Sequence, residues 1–184
     1  MHKSLVSILV LAVLMVGSVA GVAWAAENFI QCPGKPSTGG WTPDCFGTNG
    51  NDEMHGTDKN DSIYGRRGVD AIYGHGGTDR LYGNEGPDVV YGGPGGDDLY
   101  TDCEAREAGC GKDEKHGGPG DDFFSGSLPS ERYFGGRGDD QISDHGSPEN
   151  PDYIRCGPGN DRVYYNKGVD KVSGDCEELF PVQE

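Results

Sequence analysis

The chain has 184 residues, 33 of them glycine and six cysteine, and a formal net charge of −16. That acidity excludes nucleic acid and anionic membrane surfaces as partners. With only 33 % hydrophobic residues, the chain alone resembles a disordered one, so a core by itself will not hold it. A solvated acidic surface of the halophile kind is the competing reason for the charge, and the positions of the acids decide between the two.

Residues 1–25 read as a signal peptide. A short start, Met1-His-Lys-Ser, precedes an uncharged run from Leu5 to Ala26 that contains Ala23-Trp24-Ala25, the small-x-small pattern of a cleavage site. The expected location is therefore secreted, extracellular or cell-surface. Kept uncleaved, the same run is long enough to span a bilayer and would be the chain's membrane contact. Cys32 follows Asn-Phe-Ile-Gln rather than the apolar run, which argues against a lipoprotein. Residues 26–46 form an N-terminal cap.

Residues 47–100 repeat every nine residues: GTNGNDEMH, GTDKNDSIY, GRRGVDAIY, GHGGTDRLY, GNEGPDVVY, GGPGGDDLY. Position six is always acidic (Asp52, Asp61, Asp70, Asp79, Asp88 and Asp97) and position eight always apolar (Met54, Ile63, Ile72, Leu81, Val90 and Leu99). Each unit predicts a Gly-rich hexapeptide turn and a three-residue strand, because glycine accepts φ > 0 freely while β-branched and aromatic residues favour a pleated surface. Two units must make one coil, so the fold is all-β, a right-handed parallel β-roll solenoid with two nonapeptide units per coil. Same-side units then lie about 4.8 Å apart, which sets Asp52, Asp70 and Asp88 on one edge and Asp61, Asp79 and Asp97 on the other.

Carboxylates in such apposition need a cation. Calcium, which takes six to eight oxygens in irregular geometry, suits two carboxylates and the carbonyls of two glycine-rich turns, whereas magnesium wants a small octahedron and keeps its waters. Six units offer about four complete sandwiched sites. Turn propensity alone would account for Asp in a turn but not for a strict period coupled to an apolar position. An EF-hand is excluded: Asp58, Asn60 and Ser62 have ligand-like spacing, but Ile63 stands where the glycine belongs and no Glu closes the loop.

These units resemble the nonapeptide repeats of the RTX, or hemolysin-type, calcium-binding family. The resemblance extends to GGPGDDFFS (117–125), GGRGDDQIS (135–143), CGPGNDRVY (156–164) and, loosely, YNKGVDKVS (165–173). It implies metal ligation by Asp122, Asp140, Asp161 and Asp170, and by Asp152 in a less regular stretch. Residues 126–134 are a degenerate unit with Glu131 at the acid position and Tyr133 at the apolar one. Residues 101–116 read as an insertion that replaces one unit, and 144–155 as a loop three residues longer than a unit. The region 117–184 therefore holds degenerate repeats and a C-terminal cap. The family commonly exports its members by a C-terminal signal, so the N-terminal one here is a departure.

Six cysteines in an exported chain predict disulfides, and 15 pairings are open. The local set is Cys32 with Cys45, Cys103 with Cys110, and Cys156 with Cys176, placed to staple the caps over the naked ends of the roll. Position nine holds His55, Tyr64, Tyr73, Tyr82, Tyr91 and Tyr100, which alternation turns outward as two ladders. Such ladders are cross-strand cover for the sheets or, alternatively, a platform for a cell-surface glycan or protein. No catalytic motif appears, and His55, His75, His116 and His145 are scattered among turns and strand ends. The sequence therefore predicts a calcium-binding structural or surface protein and no enzyme. A calcium-dependent adhesion module is the first alternative, and a remnant of a secreted RTX hydrolase or toxin the second.

Overall fold

The computed structural model describes residues 28–33, 44–101, 111–126, 130–144 and 149–182. The proposed signal segment and the Cys103–Cys110 pair lie outside them. Along the described residues run β1 (Asn28–Gln31), β2 (Cys45–Phe46), β3 (Asp52–His55), β4 (Ser62–Arg67), β5 (Ala71–Tyr73), β6 (Arg80–Glu85), β7 (Val89–Tyr91) and β8 (Asp98–Tyr100). They are followed by β9 (Glu114–Pro119), β10 (Phe123–Gly126), β11 (Arg132–Arg137), β12 (Gln141–Asp144), β13 (Tyr153–Arg155), β14 (Arg162–Tyr165), β15 (Lys171–Val172) and β16 (Glu178–Pro181).

Each strand pairs in parallel with the next but one, so the odd strands make one eight-stranded sheet and the even strands a second. The chain is thus an all-β solenoid with two units per coil. In the regular block the register advances by one coil at a time, Met54 on Ile72 on Val90 in one sheet and Ile63 on Leu81 on Leu99 in the other. These position-eight side chains are all fully buried. A strand contributes about one such residue, worth roughly 1.5–3 kcal/mol, so the core is a single file between two sheets.

Four strands, β4, β6, β9 and β11, run six residues rather than three. The pairing continues past the first glycine of the turn, with Arg66 on Asn84 and Arg67 on Glu85. Stacked coils bring their turn backbones into register as well, and that close approach favours glycine at position four, which five of the six regular units have. A Cβ on Gly86, which has φ of +128°, would overlap the carbonyl oxygen of Gly68.

Both expected interruptions keep a strand in the sheet. Asp113 enters the sheet edge and Glu114–His116 pair with Val89–Tyr91, so the stretch read as a 101–116 insertion does not replace a unit: it keeps one, with Lys115 at the core position and His116 at the ladder position. Ile154 likewise joins the core beneath Tyr133. The period hid the first of these because its apolar position is a lysine.

Cys32 is joined to Cys45 and Cys156 to Cys176, as the local pairing predicts. The N-terminal cap is itself a coil, since β1 pairs with β3 and β2 with β4. At the other end β16 extends the even sheet, with Leu179 still 42 % exposed.

Candidate metal centre

Position six stands at the entry to each strand, at or just before its first residue, and alternation turns its side chain to the same side as the buried position eight. Each carboxylate then reaches back one coil. In the first row the Asp52 amide donates to Asp70 Oδ1 at 2.9 Å, Asp70 to Asp88 at 2.9 Å and Asp88 to Asp113 at 2.8 Å. The row resumes with Glu131 donating to Asp152 and Asp152 to Asp170. In the second row Asp61, Asp79, Asp97, Asp122 and Asp140 donate in turn to the next acid, ending on Asp161, at 2.8–2.9 Å throughout. Asp161 donates to Glu177 Oε2 at 3.0 Å. The two edges carry the sets that the period separates, with Asp113, Asp152 and Glu177 added at positions the period does not mark.

Only one oxygen of each inner carboxylate is used in this way. Oδ2 of Asp70, Asp79, Asp88, Asp97, Asp122, Asp140 and Asp161 is buried and accepts no hydrogen bond. Burial is the main cause that lifts these carboxyls: Asp88 to about 9, with the Asp113 charge adding to it, Asp122 to about 8, and Asp70, Asp79 and Asp140 to about 7. Asp97 rises to about 6 and Asp113 to about 7, again through burial first. A buried charge without a partner is expensive, so at neutral pH these oxygens demand a proton or a cation.

The surroundings favour the cation. A Cβ on Gly65 would lie 2.5 Å from Asp70 Oδ2 and 2.6 Å from the Gly83 carbonyl oxygen of the next coil. The same arrangement recurs at Gly74, where Asp79 Oδ2 and the Gly92 oxygen both lie at 2.5 Å. Carboxylate and carbonyl oxygens thus converge on the space that glycine leaves open, and the donors are all oxygen, as a hard ion such as calcium requires. The period and the phase of the acids are also what a family model for the RTX calcium-binding nonapeptide repeat, in four copies, matches over residues 46–81, 73–102 and 116–142.

These stretches are RTX calcium-binding repeats. The chain is therefore a calcium-binding β-solenoid protein. No curated protein and no solved structure matches the chain.

The RTX rows are not uniform. At the first coil, Asp52 Oδ2 accepts the Thr48 amide at 2.6 Å and the Thr48 hydroxyl at 3.0 Å, and Asp61 Oδ2 accepts the Thr57 amide and hydroxyl at 2.6 and 2.9 Å. At the far end of the first row the Asn166 amide donates to Asp170 Oδ2 at 2.6 Å. The end carboxylates are thus held by their own turns, while the inner ones are left open. Elsewhere position two takes a left-handed conformation, at Arg66, His75, Asn84, Gly93, Gly118, Gly136 and Gly157.

Asp144 occupies position one of a unit, where most repeats have glycine. It brings a third carboxylate to Asp152 and Asp170, with oxygens within 4.8 Å of one another, so these three could hold an ion together. Burial lifts Asp152 to about 6. A glycine-to-aspartate change in register was the signal for Asp144, obscured by the extra residues that follow it.

The ladders face outward. Tyr64, Tyr82 and Tyr100 stack at 4.6 and 4.9 Å, and Tyr73, Tyr91, His116 and Phe134 at 5.1, 4.7 and 4.6 Å, with planes within 16° of parallel. His55 stacks on Tyr73 and sets Nδ1 3.0 Å from His75 Nε2. Arg67 with Glu85 and Arg162 with Glu178 tie neighbouring coils on the surface, where solvent and salt screen them.

Proposed function

We propose that this chain is a secreted structural protein, of the extracellular medium or a cell surface, whose folding depends on calcium. The observation that carries this reading is the pair of lines of buried aspartate Oδ2 atoms that accept no hydrogen bond. A single-file core offsets little of the ordering entropy, so a fold of this length must draw on ion binding. In each joint the chain's own part is fixed: Oδ1 ties the coils through a backbone amide, and Oδ2 and the turn carbonyls are left for the ion. Calcium supplies the positive charge that lets these carboxylates stay ionised when buried.

Secretion is supported by the N-terminal segment and by the two disulfides, which belong to oxidising compartments. A non-enzymatic role is supported by the histidines: His55 and His116 are ladder residues that pair with Glu53 and Glu114 of their own strands at 3.0 and 2.7 Å. The adhesion alternative draws on the exposed aromatic lines. Parallel stacking turns the ring faces on one another and leaves edges outward, which suits cover for the sheets better than a sugar platform, where a ring face must lie open. Glycan-array binding lost on Tyr82→Ala or Tyr91→Ala would favour adhesion instead.

Circular dichroism of the disulfide-intact chain tests the main reading. Adding calcium should build β structure with a midpoint of roughly 10⁻⁴–10⁻³ M, as for extracellular modules, and chelator should remove it. A chelated chain as folded as the calcium form would overturn it. N-terminal sequencing of the exported chain, expected to begin at Ala26, tests the route.

A further inference from the structure

The first row changes chemistry where the Asp113 and Glu131 turns meet. Lys115, on β9, occupies the core position of its unit and is fully buried. A lysine is found there only when its charge is answered. Its Nζ lies 2.9 Å from Glu131 Oε2, donates to the Ser125 carbonyl at 2.7 Å and sits 4.5 Å over the Tyr133 ring. The Tyr133 hydroxyl also donates to Glu131 Oε2, and the Thr101 hydroxyl donates to Oε1 at 2.9 Å.

Four departures from the repeat coincide here: Thr101 for the first glycine, Glu131 for the aspartate, and Lys115 and Tyr133 for the aliphatic residues. Taken singly each reads as decay of the pattern. Together they close a network in which both glutamate oxygens accept hydrogen bonds and the Lys115 ammonium faces the Glu131 carboxylate, with the Asp113 carboxyl beside them. Glutamate's extra methylene lets the carboxylate reach the lysine. A divalent cation on Glu131 would have to share it with an ammonium already at hydrogen-bond distance from it.

We infer that Lys115 is the resident cation of this joint, taking the place of a calcium ion, so that the first-row edge of the coils on either side of it closes without metal. The inference rests on the calcium reading of the other joints. The first row then consists of two calcium-dependent stretches joined through a contact that needs none, while the second row continues past it from Asp97 through Asp122 to Asp140.

Residue-resolved hydrogen exchange of the full, disulfide-intact chain tests this. In chelator the amides of β9 and β11 should exchange at least about tenfold more slowly than those of β4 to β8, and calcium should slow β4 to β8 far more than β9 and β11. If calcium protects all these strands to the same degree, the inference is overturned while the calcium reading stands. If calcium protects none of them, both are overturned. A chain carrying Lys115→Leu with Glu131→Asp restores the regular residues and should bind one more calcium ion by calorimetric titration, with β9 and β11 now exposed in chelator. Unchanged stoichiometry, with β9 and β11 still protected, would overturn the assignment to Lys115.

Discussion

The two edges of the roll begin with the same acid at the same phase and then diverge. The second row runs from Asp61 to Asp161 with one backbone-to-carboxylate bond per coil and five successive acids, Asp79, Asp97, Asp122, Asp140 and Asp161, whose Oδ2 is open. The first row has open oxygens at Asp70 and Asp88, then passes into the Lys115–Glu131 network and a three-carboxylate cluster at Asp144, Asp152 and Asp170. Both departures from the nine-residue period fall in the first row, in the units of Asp113 and Asp152. One edge is therefore a uniform ion ladder and the other a composite.

The largest effect should come from the centre of the uniform row. Asp122→Ala removes an acid shared by two joints. At free calcium of about 100 times Kd each lost site is worth about 2.7 kcal/mol, so the expected destabilisation is about 5 kcal/mol. Asp52→Ala, at the end of the composite row, should remove at most one site, about half as much. Calorimetric titration with thermal unfolding checks the pair, and equal losses would mean that ions are not shared between turns.

Proton dependence comes next. Without calcium, Asp88 titrates near 9, Asp122 near 8 and Asp97 near 6 in the fold, against about 4 in the unfolded chain. Between about pH 4 and 9 the folded state therefore holds more protons, and its stability falls as pH rises. In chelator the chain should show more β structure at pH 5 than at pH 8. In calcium the trend should reverse, because ions and protons compete for the same oxygens. A chelated chain better folded at pH 8 would contradict the burial of the rows.

Replacing Cys156 and Cys176 by alanine should cost about 3 kcal/mol in the chain-entropy model. Lost exchange protection should begin near Ile154, at the composite end, and spare the block from Asp52 to Tyr100 in calcium. Uniform loss would mean that the staple holds the whole roll. Smallest of all, Thr48→Ala should cost about 1 kcal/mol in denaturant unfolding, since the Thr48 amide still reaches Asp52. A loss as large as that of Asp122→Ala would place the end coil on the same footing as the interior.

The sequence by itself determined what repeats. A nine-residue period fixes which side chains alternate inward and which coil lies above which, because coils of equal length must stack in register. From that alone the two acid edges, the file of position-eight residues and the outward ladders could be read, and short sequence separation added the Cys32–Cys45 and Cys156–Cys176 pairs. Tertiary structure decided what departs from the period. Asp113 was illegible because extra residues part it from the preceding unit, and Asp144 because an acid stands at position one, where the pattern has glycine. The partnership of Lys115, Glu131, Tyr133 and Thr101 was illegible because its hydrogen-bonded partners lie up to 30 residues apart and each, alone, looks like a failed repeat. Likewise only the stacked backbone shows that the end acids Asp52, Asp61 and Asp170 are satisfied by their own turns while the inner ones stay open. Whether a carboxylate needs a metal depends on every donor that burial brings to it, and that set is assembled only when the coils close on one another.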